Sequence, residues 1–142
     1  MSYDWQQKLD ELERILKQKL KDNPQLLLPN AHNVYIDERK YTEYLFGGVK
    51  IDGLLKGQLI THMLGYGLHN YHIFDAKIKQ AATEFPARLR ASTCWGDEYE
   101  IITVIDGLLG RKAKVVIGAH VNPDNSKVTS LYIKEVKKED LQ

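Results

Sequence analysis

The residues best suited to phosphodiester chemistry lie near the end of the sequence, in two segments where polar and apolar positions alternate. An imidazole transfers a proton, a lysine ammonium stabilises charge on a phosphate, and hydroxyl groups orient the 2′-OH of RNA. Metal-independent cleavage of RNA requires groups of these kinds. If the two segments are neighbouring strands, one face of the sheet brings together His120, Ser130, Tyr132, Lys112 and Lys114.

The same residues also fit an ordinary solvated sheet face, because lysine and tyrosine at alternate positions are common on exposed strands. Ser130 is not expected to be an activated nucleophile, since no hydrolase-type spacing of serine, histidine and acid accompanies it. His62, His69 and His72 lie close in sequence, but no carboxylate or cysteine joins them at the spacing of a helical zinc motif. We therefore expect no bound metal and no cofactor.

Further cations are candidates for phosphate contacts. Arg88 and Arg90 alternate with apolar residues in a predicted strand that Trp95 closes, a combination that can contact phosphates and stack a base. The alternative is a solvated edge strand whose tryptophan lies in the core. Lys50 and Lys56 lie near the start of a predicted helix, where a cation is unfavourable unless an anion binds beside it.

Composition limits the class of protein. The chain has 142 residues, of which 43% are hydrophobic, enough for the core of one domain. Lysine and arginine number 20 against 19 aspartate and glutamate, so any basic patch that attracts nucleic acid must be local. Cys94 is the single cysteine; we expect it to be small and buried, in a protein of a reducing compartment.

No targeting or membrane segment is visible in the sequence. The N-terminal segment lacks the apolar core of a signal peptide, and no apolar run approaches the roughly 18 residues that span a membrane. We expect a cytoplasmic protein with no membrane partner.

The N-terminal segment, residues 3–21, places apolar side chains at helical spacing, with acidic residues early and lysines late. This pattern predicts an amphipathic helix. Its apolar stripe, which includes Trp5 and Leu12, either packs on the same domain or forms a dimer seam, and the small number of heptads favours the first. The apolar, extended segment 26–30 then attaches the helix to the body.

Three further helices are predicted from their end signals. They begin at Asp37, at Asp52 and near Asn70, and they end at the glycines 47–48, at the glycines 65–67 and before Pro86.

The hydrophobic period changes at Pro86 from that of helices to that of strands. The predicted strands are residues 88–95, 99–105, 111–121 and 127–136, and the first turn is placed at Gly96–Asp97. This order predicts an α+β fold in which N-terminal helices pack on one face of a four-stranded antiparallel meander sheet. We divide the chain into an amphipathic helix, 1–25, and a single α+β domain, 26–142.

The loop 122–126 would set Val121 opposite Lys127 and so determine which residues share a face of the sheet. The mostly apolar face, expected beneath the helices, holds Ala113, Val115, Ile117, Ala119, Thr129, Leu131 and Ile133. The second face surrounds a glycine that leaves room for a ligand, and holds Lys112, Lys114, Val116, Gly118, His120, Ser130, Tyr132 and Lys134.

Several short motifs follow one another in an order that carries more information than any one of them. They are Leu28-Pro29-Asn30-Ala31, Ile36-Asp37 with Lys40 and Tyr44-Leu45, Lys56 ahead of Leu64-Gly65, Gly96 with Tyr99, and the strand from Val128 to Ile133. Across residues 26–134 this order resembles a family of small uncharacterised bacterial domains. The family shares an LPNA…ID..K opening, a GxxK…LG helix and a terminal (L/V)T(S)xY strand.

The resemblance implies a function as well as a fold. Members resemble stand-alone proteins encoded beside small partners, or modules of phage-head and polymorphic-toxin proteins. That context suggests a metal-independent RNase-like toxin of the barnase, colicin and RelE type, which shares the order of helices followed by a meander. By position, Lys56 matches the family's helix lysine, and Thr129, Ser130 and Tyr132 match its last-strand motif.

We therefore expect a ribonuclease-like toxin or effector domain that cleaves RNA by general acid–base chemistry. His120 would be the general acid or base, and Tyr132 with Thr129 or Ser130 would position the substrate. The residues expected to hold phosphate are Lys56, Lys112, Lys114, Arg88 and Arg90. The expected partners are an RNA substrate and a small cognate inhibitor or partner protein.

Two alternatives stay open at this point. One is a non-catalytic interaction module, such as an immunity or phage accessory protein, that binds a partner through the N-terminal helix and the sheet. The other is a small-molecule binder of the NTF2-like class, with an internal apolar pocket lined by Tyr99, Ile101 and Val116.

Overall fold

A computed structural model describes residues 2–142, with side chains from Trp5 onward. These described residues form three α-helices, one π-helical turn and five strands. The helices are α1 (Ser2–Asp22), α2 (Ile51–Leu64) and α3 (Tyr71–Ala82), the π-helical turn is Lys40–Leu45, and short 3-10 turns lie at Pro24–Leu26 and Lys138–Leu141. The strands are β1 (Val34–Tyr35), β2 (Ala87–Thr93), β3 (Gly96–Asp106), β4 (Lys112–Val121) and β5 (Ser126–Lys134).

The five strands form one mixed sheet in the order β1-β5-β4-β3-β2. Strands β2 to β5 make the antiparallel meander that the sequence predicts, whereas β1 is an additional edge strand that pairs with β5 in parallel. The predicted four-stranded sheet is therefore one strand short. The sequence gives no sign of β1, because a strand of two residues shows no alternation.

The helix ends follow the glycine and asparagine signals in the sequence. Gly65 ends α2 in the left-handed conformation, with φ of 83°, and donates its N–H to the Thr61 carbonyl. The Asn70 side chain accepts a hydrogen bond from the Gly67 N–H at 2.7 Å and donates to the Gly65 carbonyl at 3.1 Å. These contacts fix the turn between α2 and α3, and the predicted bounds of both helices are confirmed.

One hydrophobic core joins the helices to the sheet. Leu9 and Leu12 of α1 are fully buried in it, so the apolar stripe of α1 packs on its own domain. No helix in the described part of the chain has the length and apolarity to cross a bilayer. Other members of the core are Ile60, Leu64, Phe74 and Ile78 from the helices and Ile101, Val115, Ile117 and Leu131 from the sheet.

The β2–β3 hairpin turns two residues earlier than predicted, at Cys94–Trp95. Thr93 fixes this turn, because its hydroxyl accepts the Trp95 N–H at 3.1 Å and donates to the Gly96 carbonyl at 2.9 Å. Gly96 follows with φ of 134°, which side-chain-bearing residues rarely adopt. Trp95 is therefore 84% exposed and Cys94 is exposed, so the predictions of a core tryptophan and a buried cysteine are both wrong.

A β-bulge alters the predicted pairing of β4 with β5. Gly118 lies opposite Ser130 as predicted, but the register then shifts, and Ala119 pairs with Val128. Thr129 is the extra residue of the bulge, so it is exposed rather than part of the apolar face, and Val128 is buried there instead. Beyond the bulge Val121 pairs with Ser126 and not with Lys127.

The sequence predicts that only one face of the sheet is packed, but the second face is also covered at one end. Lys112 makes ion pairs with Glu13 at 2.7 Å and Asp10 at 3.1 Å, both on α1. The hydrogen bond with Glu13 is the main reason that the pKa of Lys112 is raised. Lys114 is 4% exposed and contacts Asp140 of the last 3-10 turn at 2.7 Å.

We predict that Asp140→Asn destabilises the protein by about 3 kcal/mol, because it leaves the Lys114 ammonium buried without a counter-charge. Burial works to raise the pKa of Asp140, but hydrogen bonds from Lys114 and the Lys137 N–H outweigh it, so the pKa is lowered. The stabilisation is therefore present above the ordinary value of 3.8 and is lost as the pH falls through the lowered pKa.

Urea unfolding of the wild type and of Asp140→Asn at neutral pH measures this difference. Glu139→Gln, an exposed acid in the same turn, is the matched control and should change stability little. Equal stability of the Asp140→Asn and Glu139→Gln variants would show that the buried pair does not hold the C-terminal turn.

Candidate functional site

Two glycines of α2 let this helix approach the π-helical turn at main-chain distance. A side chain at Gly53 would collide with the main chain of Tyr44, and one at Gly57 would collide with the main chain of Leu45. Because the two backbones touch here, Lys56, which lies between the glycines in sequence, is held beside Tyr44. This packing places a lysine of α2 at the edge of the sheet.

Three lysines surround two tyrosine rings at this edge. The Lys56 Nζ lies 5.8 Å from the centre of the Tyr44 ring and 5.6 Å from that of Tyr132. The Lys40 Nζ lies 5.1 Å from the Tyr44 ring, and the Lys134 Nζ lies 5.9 Å from the Tyr132 ring. These distances are those of cation–π contacts. We call these five residues the lysine–tyrosine cluster.

The cluster borders the outer edge of β5, where β1 pairs only with Ser126 and Lys127. Beyond that point the Lys40 Nζ donates a hydrogen bond to the Thr129 carbonyl at 2.9 Å and so covers part of the edge. An open cleft of about 410 Å³ lies here. It is lined by Asp37, Arg39, Lys40, Glu43, Tyr44, Lys127, Val128 and Thr129.

The electrostatics of the cluster are cationic. Burial lowers the pKa of Lys40, and the charges of Lys56 and Lys127 lower it further, against a smaller opposite effect of Asp37. Among the described residues none of the lysines at 40, 56, 127 and 134 has a carboxylate within ion-pair distance. Asp37 pairs with Arg39 at 2.7 Å instead, which lowers its pKa to about 2.

The hydroxyl groups of Thr129 and Ser130 lie beside Gly118, on the sheet face that carries Tyr132. They leave less space above this glycine than the sequence predicts. A Cβ on Gly118 would collide with the Ser130 Oγ and would lie 3.3 Å from the Thr129 Oγ1. The space above Gly118, expected to hold a ligand, is thus filled by the Ser130 hydroxyl. Gly118 serves the close packing of β4 and β5.

His120 lies on the same face, four residues along β4 from Val116, which pairs with Tyr132. That spacing corresponds to roughly 13 Å along the strand. Its Nδ1 contacts a Glu98 carboxylate oxygen, and its Nε2 lies 3.0 Å from the Trp95 carbonyl. A carbonyl only accepts, so Nε2 carries a proton. The imidazole therefore fastens the β2–β3 hairpin to β4 with both of its nitrogens.

The other predicted phosphate ligands lie apart from the cluster. Lys112 and Lys114 are in the ion pairs with α1 and the C-terminal turn described above. Arg88 and Arg90 both approach Glu100 of β3, at 3.1 and 3.8 Å, with their guanidinium ends largely exposed. Of the predicted phosphate-binding residues, the structure brings only Lys56 to Tyr132.

Sequence reasoning missed the contributions of Lys40, Tyr44 and Lys134 to the site. Lys40 and Tyr44 are part of the family-like motifs, which was the available signal, but no local pattern shows that the π-helical turn meets β5. Lys134 was placed on the correct face without a role. These contacts join residues far apart in sequence, so periodicity cannot reveal them.

The pocket expected of a small-molecule binder is not formed by the predicted residues. Tyr99 and Ile101 pair with Ala119 and Ile117 on the apolar face, whereas Val116 pairs with Ile102 on the opposite face. Because the three side chains point to different sides of the sheet, they cannot line one cavity.

The three neighbouring histidines are also not assembled for metal binding. In the described part of the chain, no group of three histidine, cysteine or acidic side chains is arranged to hold a metal ion.

Comparison with known proteins finds one family. A family model described as "Domain of unknown function (DUF6883)" matches residues 27–135. This range nearly coincides with the segment 26–134 that carries the motifs. No curated protein and no solved structure matches the chain.

We predict that the contacts of His120 with Glu98 and with the Trp95 carbonyl make the stability of the protein depend on pH. The hydrogen bond with Glu98 is the main reason that the pKa of His120 is raised above its ordinary value of 6.5. The stabilisation is therefore complete below about 6.5 and is lost as the pH rises through the raised pKa. The melting temperature of the wild type relative to His120→Gln should be higher at acidic than at alkaline pH.

His32→Gln, a change at an exposed histidine, is the control for this measurement and should show no such difference. If the gap between wild type and His120→Gln is the same on both sides of the titration, the imidazolium does not hold the hairpin.

Proposed function

The chain belongs to the DUF6883 family, and we propose that it is a metal-independent ribonuclease-like effector domain whose lysine–tyrosine cluster binds the phosphates of single-stranded RNA. The single observation that carries this proposal is the set of lysines held together without carboxylate partners. Its setting as a bacterial or phage-associated toxin-like protein of the cytoplasm is part of the same proposal.

Holding like charges together costs free energy, and no carboxylate of the described residues pairs with these lysines to offset it. Lys40 is partly buried, and its pKa is lowered by burial and by Lys56 and Lys127. A bound phosphate would remove this cost by supplying negative charge among the ammonium groups. The structural lysines differ, because Lys112 and Lys114 each have a carboxylate at 2.7 Å. This contrast supports an external anion as the partner of the cluster.

Single-stranded RNA fits the cluster better than a simple anion does. The phenol oxygens of Tyr44 and Tyr132 form no hydrogen bond within the described residues, so both can contact a 2′-OH or phosphate oxygen. Trp95, exposed at the hairpin tip, offers a ring on which a base can stack. Arg88 and Arg90 lie on β2, three strands from β5 in the sheet, with side chains 67% and 53% exposed, and are proposed as distal phosphate contacts for a longer RNA.

The proposed chemistry is attack of the 2′-oxygen on the adjacent phosphorus, which forms a 2′,3′-cyclic phosphate and breaks the bond from phosphorus to the 5′-oxygen. The departing 5′-oxygen takes up a proton from water. Lys56 would stabilise charge on the phosphate, and Tyr132 with Thr129 or Ser130 would orient the ribose and the leaving oxygen. In its neutral form Lys40 would accept the 2′-OH proton, and its lowered pKa makes that form more populated than in an ordinary lysine. We assign His120 to positioning the hairpin, because both of its nitrogens are engaged.

A non-catalytic partner-binding module is the second candidate function. The N-terminal helix does not supply its surface, since Leu12 is fully buried and Trp5 packs against the core. The observation that favours this candidate is a row of exposed apolar side chains on α2, including Leu55 at 57% exposure.

We predict that Lys56→Ala weakens binding of a fluorescent single-stranded RNA oligonucleotide by about tenfold, equivalent to roughly 1.4 kcal/mol. The salt dependence of the logarithm of the affinity should also fall by about 0.7, because one phosphate contact is lost. Fluorescence anisotropy at several salt concentrations measures both quantities. Lys21→Ala, at an exposed lysine of α1, is the matched control and should leave them unchanged.

Cleavage is tested with the same RNA in the presence of EDTA and in growing cells. We expect products that end in a 2′,3′-cyclic phosphate, and growth arrest with RNA fragmentation on induced expression of the wild type but not of Lys56→Ala. Binding without cleavage would refute the nuclease activity and leave an RNA-binding surface. If soluble, folded protein shows no binding and no cleavage, the proposed function is ruled out.

A further inference from the structure

Helix α2 carries apolar side chains on its outer side as well as on the side that faces the core. Ile51, Leu55 and Leu59 are 65%, 57% and 41% exposed. Their spacing of four residues aligns them along one face of the helix, over a length of roughly 12 Å. We call these three residues the outer stripe. Val49, 92% exposed, lies immediately before it in sequence.

The outer stripe is unusual for a surface helix. A helix that is apolar on both sides is normally covered on both, because a surface helix keeps charged and polar residues on its outer face. Ile60 and Leu64 already fill the inner side of α2 and are fully buried. Aligned exposed aliphatic residues mark an interaction site more often than scattered ones do.

The charges around the outer stripe indicate what covers it. Lys56 is the next residue after Leu55, and Lys50 immediately precedes the helix. Asp52 is the one carboxylate within α2. Lys56 also belongs to the lysine–tyrosine cluster, so the stripe lies beside a cationic surface. A complementary partner therefore presents apolar side chains flanked by carboxylates.

Other occupants fit these charges less well. A second copy of the chain docked through the outer stripe would offer Lys50 and Lys56 only one carboxylate of α2, Asp52, and so complements their charge poorly. RNA satisfies the lysines but offers no aliphatic side chains to the stripe. A membrane surface would be contacted by only a few aliphatic residues, with no exposed aromatic residue in the stripe.

We propose that the outer stripe, with Lys50 and Lys56, docks an acidic amphipathic helix of a partner protein, which covers Lys56 and closes the lysine–tyrosine cluster to RNA. The leucines of such a helix pack against Leu55 and Leu59, and its carboxylates pair with the lysines that otherwise meet phosphate. Docking stands on the stripe itself; the inhibition of RNA binding rests on the proposed function.

The probe is a synthetic helical peptide of about 18 residues, with leucines at spacings of three and four and glutamates on both flanks. Matched peptides carry glutamine or lysine in place of glutamate. We expect the glutamate peptide to bind the full chain and to displace labelled RNA. Leu55→Ser with Leu59→Ser should weaken peptide binding at least about tenfold without changing RNA affinity, and Lys56→Gln should weaken both.

Leu108→Ser is the matched control, since Leu108 is 51% exposed but lies outside α2. Circular dichroism and thermal melting verify that the variants fold. Equal binding of the glutamate and lysine peptides, or binding that survives the double serine change, would overturn the proposal. So would self-association that the double change abolishes, or binding to anionic vesicles in place of the peptide.

The same measurements separate this inference from the proposed function. RNA binding without peptide binding refutes the docking surface alone. Peptide binding without RNA binding refutes the function alone and leaves the chain as a partner-binding module.

Discussion

The main-chain contact between α2 and the π-helical turn is the constraint on which the candidate site depends. Gly53 and Gly57 have no side chains to separate the two backbones, so Tyr44 and Lys56 are held side by side. The π-helical turn also contacts β5, because the Lys40 ammonium group donates a hydrogen bond to the Thr129 carbonyl. The missing side chains of Gly53 and Gly57 therefore allow α2, the π-helical turn and the edge of β5 to meet.

Two groups of lysines in this protein have different roles. Lys112 and Lys114 are paired with carboxylates and fasten the N-terminal helix and the C-terminal turn to the sheet. The lysines of the cluster contact aromatic rings, and their positive charges repel one another. A near-neutral total charge conceals this division, which shows why the net charge of a chain is a poor guide to whether it has an anion-binding surface.

The sequence predicts what depends on neighbours in the chain. The ends of α2 and α3 follow from Gly65 and Asn70, and the pairing of Gly118 with Ser130 follows from alternation. The bulge at Thr129 could not be predicted, because alternation of residue types does not show where one extra residue interrupts the pairing of two strands. The exposure of Trp95 was missed because turn position depends on the hydroxyl of Thr93. The sequence indicates Lys56 and Tyr132 as site residues but not Lys40, Tyr44 and Lys134, because the contacts that join them are between distant segments.

Three ion pairs join the sheet to segments outside the family match. Lys112 and Lys114 lie inside the segment 27–135 that defines the family, but Asp10, Glu13 and Asp140 lie outside it. Excision of the family segment would remove the counter-charge of Lys114 and would leave Lys112 only Asp106, at 4.0 Å. It would also uncover apolar surface that Leu9 and Leu12 cover. The packing of this chain thus extends on both sides beyond the segment that the family model matches.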